Sequence, residues 1–88
     1  MFEWDDDNLD HIGEHRVTPQ EAEQAVLDPM CMDADASSME DEYRDGIVGM
    51  TSEGRILQVI FTEREGLIRV LQAKTATWRQ QAAYRRQR

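Results

Sequence analysis

Cysteine is almost missing from this chain. Cys31 is the single one in 88 residues, so no intramolecular disulfide can form and nothing points to a secreted, cross-linked scaffold. No apolar run approaches the length of a membrane span, and no charged-then-apolar leader opens the chain. A cytoplasmic protein without membrane contact is expected. Acid is absent from the last 20 residues, although the whole chain carries a net charge of −8. All 18 acidic groups lie in residues 1–68, whereas Arg69, Lys74, Arg79, Arg85, Arg86 and Arg88 crowd the end. Such a split fits either a polyanion-binding end or two halves that neutralise each other on folding.

Apolar residues are concentrated in one place, Ile47 to Ala73. Three runs rich in Val, Ile, Leu and Phe, at 47–50, 56–62 and 68–73, are separated by short Gly-containing turns. They predict a three-stranded antiparallel meander. Leu57, Val59 and Phe61 alternate with Ile56, Gln58, Ile60 and Thr62, so the middle run is apolar on both faces. It should be the central strand, covered on each side. Eighty-eight residues make one domain, spanning 1–88, just large enough for such a core without metal or disulfide.

Around the meander the local signals are mostly helical. Phe2-Glu3-Trp4 reads as a short extended piece. Asp5, Asp6 or Asp7 should cap a helix running to about His15, with Leu9 and Ile12 inward and Gly13 weakening it. Asn8, His11 and His15 share a second stripe. Thr18-Pro19-Gln20-Glu21 is a capping box with proline at the first helical position, and Val17 and Ala22 stand where a staple would be. That helix should stop before Pro29. Residues 30–42 are acidic and show no period, which predicts a mobile loop before a strand near Tyr43–Met50. Thr77-Trp78-Arg79-Gln80 is a second capping box, opening a basic helix to about Arg86. The order β-α-α-β-β-β-α predicts an α+β fold: a three- to four-stranded antiparallel sheet with two N-terminal helices and one C-terminal helix.

W-D-x-x-N-x-x-H-I-x-x-H-x-V-T-P-x-E-A-E runs from Trp4 to Glu23. Asp28-Pro29, the Gly49 to Gly54-Arg55 hairpin, Arg69-Val70-Leu71-Gln72-Ala73-Lys74 and a late Thr77 with Tyr84 follow in order. The set resembles the BrnT family of toxins from bacterial type II toxin–antitoxin pairs. The resemblance implies a RelE-like ribonuclease fold, RNA cleavage without a metal or other cofactor, and a ribbon-helix-helix antitoxin as partner; self-association is left open. It maps the family's functional group onto His15, Arg69, Lys74 and the start of the last helix. The chain departs from the family pattern at Arg16, where glycine is usual, at Lys74, where arginine is usual, and over Gln80 to Ala83, where a glutamate with flanking arginines is usual.

Cleavage of RNA without a metal needs a base for the 2′-hydroxyl, an acid for the leaving 5′-oxygen and cations for the charged phosphorane. An imidazole titrates near neutral pH, which makes His15 a candidate base or acid. Arg69 and Lys74 would clamp phosphate, and Tyr84 would donate or stack. Arg55, Trp78, Arg79, Arg85 and Arg86 are candidate RNA contacts. Each has a plainer alternative: His15 ending its helix, Trp78 packing the last helix onto the sheet, Arg55 merely solvated in its turn. His11 and His15 at i, i+4 are weak evidence for a metal, and no dedicated metal site is expected. In a regular strand residues 69 and 74 face opposite sides, so they converge only across a bulge. Three functional readings stand: a ribonuclease toxin, a catalytically inactive binding module of the same fold acting through protein contacts, and, last and on charge alone, an acidic mimic of nucleic acid that blocks a DNA-binding protein.

Overall fold

Both faces of the Ile56–Arg64 strand are buried under other elements, and this decides the architecture. The computed structural model describes residues 1–34 and 44–87. In chain order it contains β1 (Phe2–Glu3), α1 (Asp6–Gly13), α2 (Pro19–Leu27), β2 (Met32–Asp33), β3 (Arg44–Met50), β4 (Ile56–Arg64), β5 (Leu67–Thr75) and α3 (Trp78–Arg86). The strands form one five-stranded sheet in the order β1-β5-β4-β3-β2. The meander is present and β4 is the central strand. The sheet is nevertheless larger than expected and mixed, because β1 pairs with β5 in parallel, Phe2 opposite Ile68 and Glu3 opposite Arg69.

The second added strand corrects the reading of 30–42 as a loop. Met32 and Asp33 pair with Val48 and Ile47, and Ala34 donates its amide to the Gly46 carbonyl at 2.8 Å. Two residues carry no readable period, so only the neighbouring β3 edge makes them a strand. Residues 35–43, including the rest of that segment and Tyr43, lie outside the described residues.

One face of β4, with Leu57, Val59 and Phe61, packs with Ile47, Val70 and Ala73 under Ile12 of α1 and Ala22 and Ala25 of α2. Val48 and Ile56 on the other face meet Ala76 and Tyr84 from the C-terminal helix. The β4–β5 hairpin turns on Glu65 and Gly66, both with positive φ (54° and 81°), as a two-residue turn matched to strand twist requires.

Both anticipated capping boxes form, at Thr18 with Glu21 and at Thr77 with Gln80. A third, Asp5 with Asn8, opens α1. Helix α1 is shorter than expected: it ends at Gly13, and Arg16 then takes φ 57°, a left-handed conformation natural to glycine. This is the position where the family pattern has glycine. Its inner stripe also differs. Leu9 is exposed, and Asn8 is buried in its place beside Ile12, because the Asn8 amide donates to the Glu3 carbonyl at 2.9 Å and ties α1 to β1.

Candidate active site

A groove runs between α1 and β5, and an irregularity in β5 gives it its floor. Ile60 pairs with Gln72 and Phe61 with Val70, so Leu71 is left over as a bulge. Leu71 lines both halves of the groove. One half, about 370 Å³, is bounded by Asp7, Asn8, Asp10, His11, Glu14, Arg69 and Val70. The other, about 310 Å³, is bounded by His11, Glu14, His15, Arg44 and Gln72.

The bulge also answers the question of residues 69 and 74. Arg69 pairs with Thr62 and Lys74 with Gln58, two positions on the same side of β4. Arg69, Gln72 and Lys74 therefore share one side of β5. Arg69 and Lys74 are separated by four residue steps of β4, roughly 13 Å, so they would hold different phosphates rather than one.

Arg69 is already engaged. Its guanidinium donates to the Asp5 carboxylate at 2.6 Å and stands 3.6 Å from Glu3. The hydrogen bond from Arg69 is the main cause holding the Asp5 carboxyl below its usual range, helped by the Asn8 amide. Asp5 in turn raises Arg69. A phosphate that takes Arg69 Nη1 must displace two carboxylates.

His15 lies beyond the end of α1, exposed and lining the second half-groove with His11. The i, i+4 histidine pair thus shares one cavity. Among the described residues, no group of three or more His, Cys, Asp and Glu side chains is placed to hold a metal ion. Lys74 is half-buried beside Gln58, whose carbonyl oxygen accepts from the Gln80 side-chain amide at 2.9 Å. Gln80 therefore caps and cross-links α3.

The structure places two of the expected site residues elsewhere. Tyr84 is only 2% exposed, and its hydroxyl donates to Asp28 at the end of α2. Asp28 also accepts the amides of Met30 at 2.9 Å and Met50 at 2.8 Å, so Tyr84 joins α3 to the α2–β2 connection. Arg55 is neither solvated nor directed outward. It donates to the carbonyls of Arg16 (2.7 Å) and His15 (3.2 Å), to Glu21 (3.2 Å) and to the Thr75 hydroxyl (3.1 Å). It fastens the α1–α2 turn to the end of β5 and so fixes the backbone that carries His15. Trp78 does not pack α3 onto the sheet: it is 74% exposed, with the Arg79 guanidinium 5.2 Å from its ring centroid. Cys31 is a poor nucleophile here, since burial and the nearby Asp28 and Asp33 push its thiol up.

The Arg55 clasp has a pH signature. Glu21 is held below the ordinary glutamate range, first by the Thr18 amide and then by Arg55. A depressed carboxyl contributes its stability fully above the ordinary value, and loses it as pH falls through the lowered one. Thermal melts should therefore fall off below the ordinary glutamate range, less steeply in Glu21→Gln, which keeps the cap. Arg55→Ala should cost about 2 kcal/mol at neutral pH. Equal acid sensitivity in Glu21→Gln and the native protein would refute the clasp.

A family model described as the ribonuclease toxin BrnT of type II toxin–antitoxin systems matches residues 4–80. The chain belongs to the BrnT family. No match is found among curated proteins. Membership makes the BrnT-family chain one of a pair, with an antitoxin protein as partner and RNA as target. The matched stretch holds the groove, Arg69, Lys74 and Trp78, and stops short of Tyr84, Arg85 and Arg86. Among the described residues, no helix is long and apolar enough to cross a membrane. The sequence did not show that His11 shares a cavity with His15, Glu14, Arg44 and Gln72. The histidine spacing was visible, but as weak evidence for a metal it did not point to a shared groove. Arg44 and Gln72 had no local signal, because strand register and the bulge bring them to the groove.

Proposed function

We propose that this BrnT-family toxin cleaves RNA without a metal, by attack of a 2′-hydroxyl on the adjacent phosphorus. The observation that carries this reading is the groove along β5, where His11 and His15 line one half with Gln72 and His11 lines the other with Arg69. One imidazole takes the proton of the 2′-hydroxyl as O2′ bonds to phosphorus. The other gives a proton to O5′ as the P–O5′ bond breaks. The products are a 2′,3′-cyclic phosphate and a free 5′-hydroxyl. Arg69 and Lys74 stabilise the charge on the phosphorane and on its neighbour. In this assignment His11 takes the donor role considered for Tyr84, whose hydroxyl is occupied by Asp28. Three helices on a five-stranded mixed sheet suit a RelE-like ribonuclease, silenced in the cell by a ribbon-helix-helix antitoxin that covers the groove.

A second reading, a binding module without catalysis, is favoured by one observation: Arg69 is neutralised by Asp5 and Glu3. Incubation of purified protein with total cellular RNA separates the two. Cleavage that survives EDTA, leaves cyclic phosphate ends and falls about 100-fold or more in His15→Ala and in His11→Ala supports the ribonuclease. Intact RNA from folded protein would establish the binding module.

A further inference from the structure

The two tryptophans of this chain are treated in opposite ways. Trp4 stacks on Phe2, joins the core and donates its indole N–H to Glu23 at 2.8 Å. Trp78 stands 74% in solvent on a helix start that is held firmly. The Thr77 hydroxyl accepts the Gln80 amide at 3.1 Å, the Gln80 side chain accepts the Thr77 amide at 2.9 Å, and Gln81 reaches back to the Ala76 carbonyl at 2.9 Å. An indole exposed on so fixed a backbone is presented to solvent rather than frayed into it. Arg79 lies over the ring. By helical period Arg85 stands on the Trp78 stripe and Arg86 on the Arg79 stripe, each two turns on, roughly 10 Å along the axis. No carboxylate occurs anywhere from residue 69 onward.

We propose that Trp78 and Arg79 form a stacking platform for an unpaired base, so that the substrate is single-stranded RNA lying along β5 and the outer face of α3. The charge of α3 is complementary to a phosphate backbone. The indole adds what charge alone lacks, a flat apolar surface matched to the face of a base. Bases inside a duplex have both faces covered by their neighbours, so such a platform selects unpaired nucleotides. Lys74 pairs with Gln58, which accepts from Gln80 in the first turn of α3, so the side of β5 that carries Arg69, Gln72 and Lys74 adjoins the helix that carries Trp78. The RNA ligand rests on the ribonuclease reading, but the stacking does not require that cleavage occur.

The test uses the full chain and a fluorescein-labelled 2′-O-methyl oligonucleotide, which lacks the attacking hydroxyl and is not consumed, alone and annealed to its complement. Trp78→Ala should weaken single-strand binding roughly 5- to 100-fold, Trp78→Phe should retain most of it, and duplex should bind more weakly than single strand. Because Trp78 is exposed, both variants should fold, which circular dichroism checks. Unchanged affinity in Trp78→Ala, or equal binding of duplex and single strand, would overturn the platform even if RNA is still cleaved. Loss of antitoxin binding alone in Trp78→Ala would overturn it too and assign the surface to that partner. Trp78-dependent binding by a protein that leaves unmodified RNA intact would keep the platform and remove the cleavage reading.

Discussion

Replacing Arg69 by alanine is expected to lower RNA cleavage by about 100-fold or more and to relieve growth inhibition when the toxin is expressed without its antitoxin. The guanidinium lines the groove, and a planar fork of this kind can hold two phosphate oxygens. Arg69→Lys should fall between the two, keeping the charge and losing the fork. The ion pair it leaves is at the surface, so melting should change little, and lost activity would not be lost fold. The converse change tests the same geometry. Asp5 and Glu3 compete with phosphate for Arg69, so Asp5→Asn and Glu3→Gln should raise cleavage several-fold at low salt. Asparagine remains a good N-cap for α1, so Asp5→Asn removes the charge without removing the cap. Normal cleavage and growth inhibition by folded Arg69→Ala protein would move the chemistry away from β5.

Gly49→Ala should cost about 3 kcal/mol, a large part of the stability of a domain this small. A Cβ at Gly49 would lie 2.1 Å from the Ala25 carbonyl oxygen, 2.8 Å from its carbon and 3.1 Å from its Cα. All three are backbone atoms, so no side chain can turn aside and α2 itself must lift off β3. Ala25 is fully buried in the core that α2 covers, so that displacement would open the packing of Leu57 and Val59. The comparison is Gly13→Ala, where a Cβ meets nothing within 4 Å at the last residue of α1, and stability should hold or rise. Urea titrations read both, a shift of the midpoint without a change of slope marking a loss of native stability. A Gly49→Ala midpoint within error of the native one would mean that α2 does not pack as closely as described.

The parts of the fold legible in the sequence were those specified by nearest neighbours. The meander was readable because apolar alternation and glycine turns are local patterns, and the Thr18 and Thr77 boxes because a cap spans four residues. Strands β1 and β2 were not readable as sheet members, since two residues hold no period and pair only because β5 and β3 present open edges. Leu9 and Asn8 exchanged places for a similar reason. The Glu3 carbonyl needs a donor where α1 meets β1, and a buried amide satisfies it where leucine cannot.

The candidate site divides in the same way. Chain order determined which residues are available: two histidines four apart, a basic end free of acid, arginine and lysine on one strand, and an indole opening the last helix. Those follow from composition and spacing, together with membership of the BrnT family. Only the tertiary structure decided what each one faces. The Leu71 bulge turns Arg69 and Lys74 to one side, and the β1–β5 pairing sets two carboxylates against Arg69. Closure of α3 over the sheet buries Tyr84 on Asp28 and leaves Trp78 outside. Register, bulges and helix docking are settled by contacts between residues distant in the chain, and no local pattern encodes them.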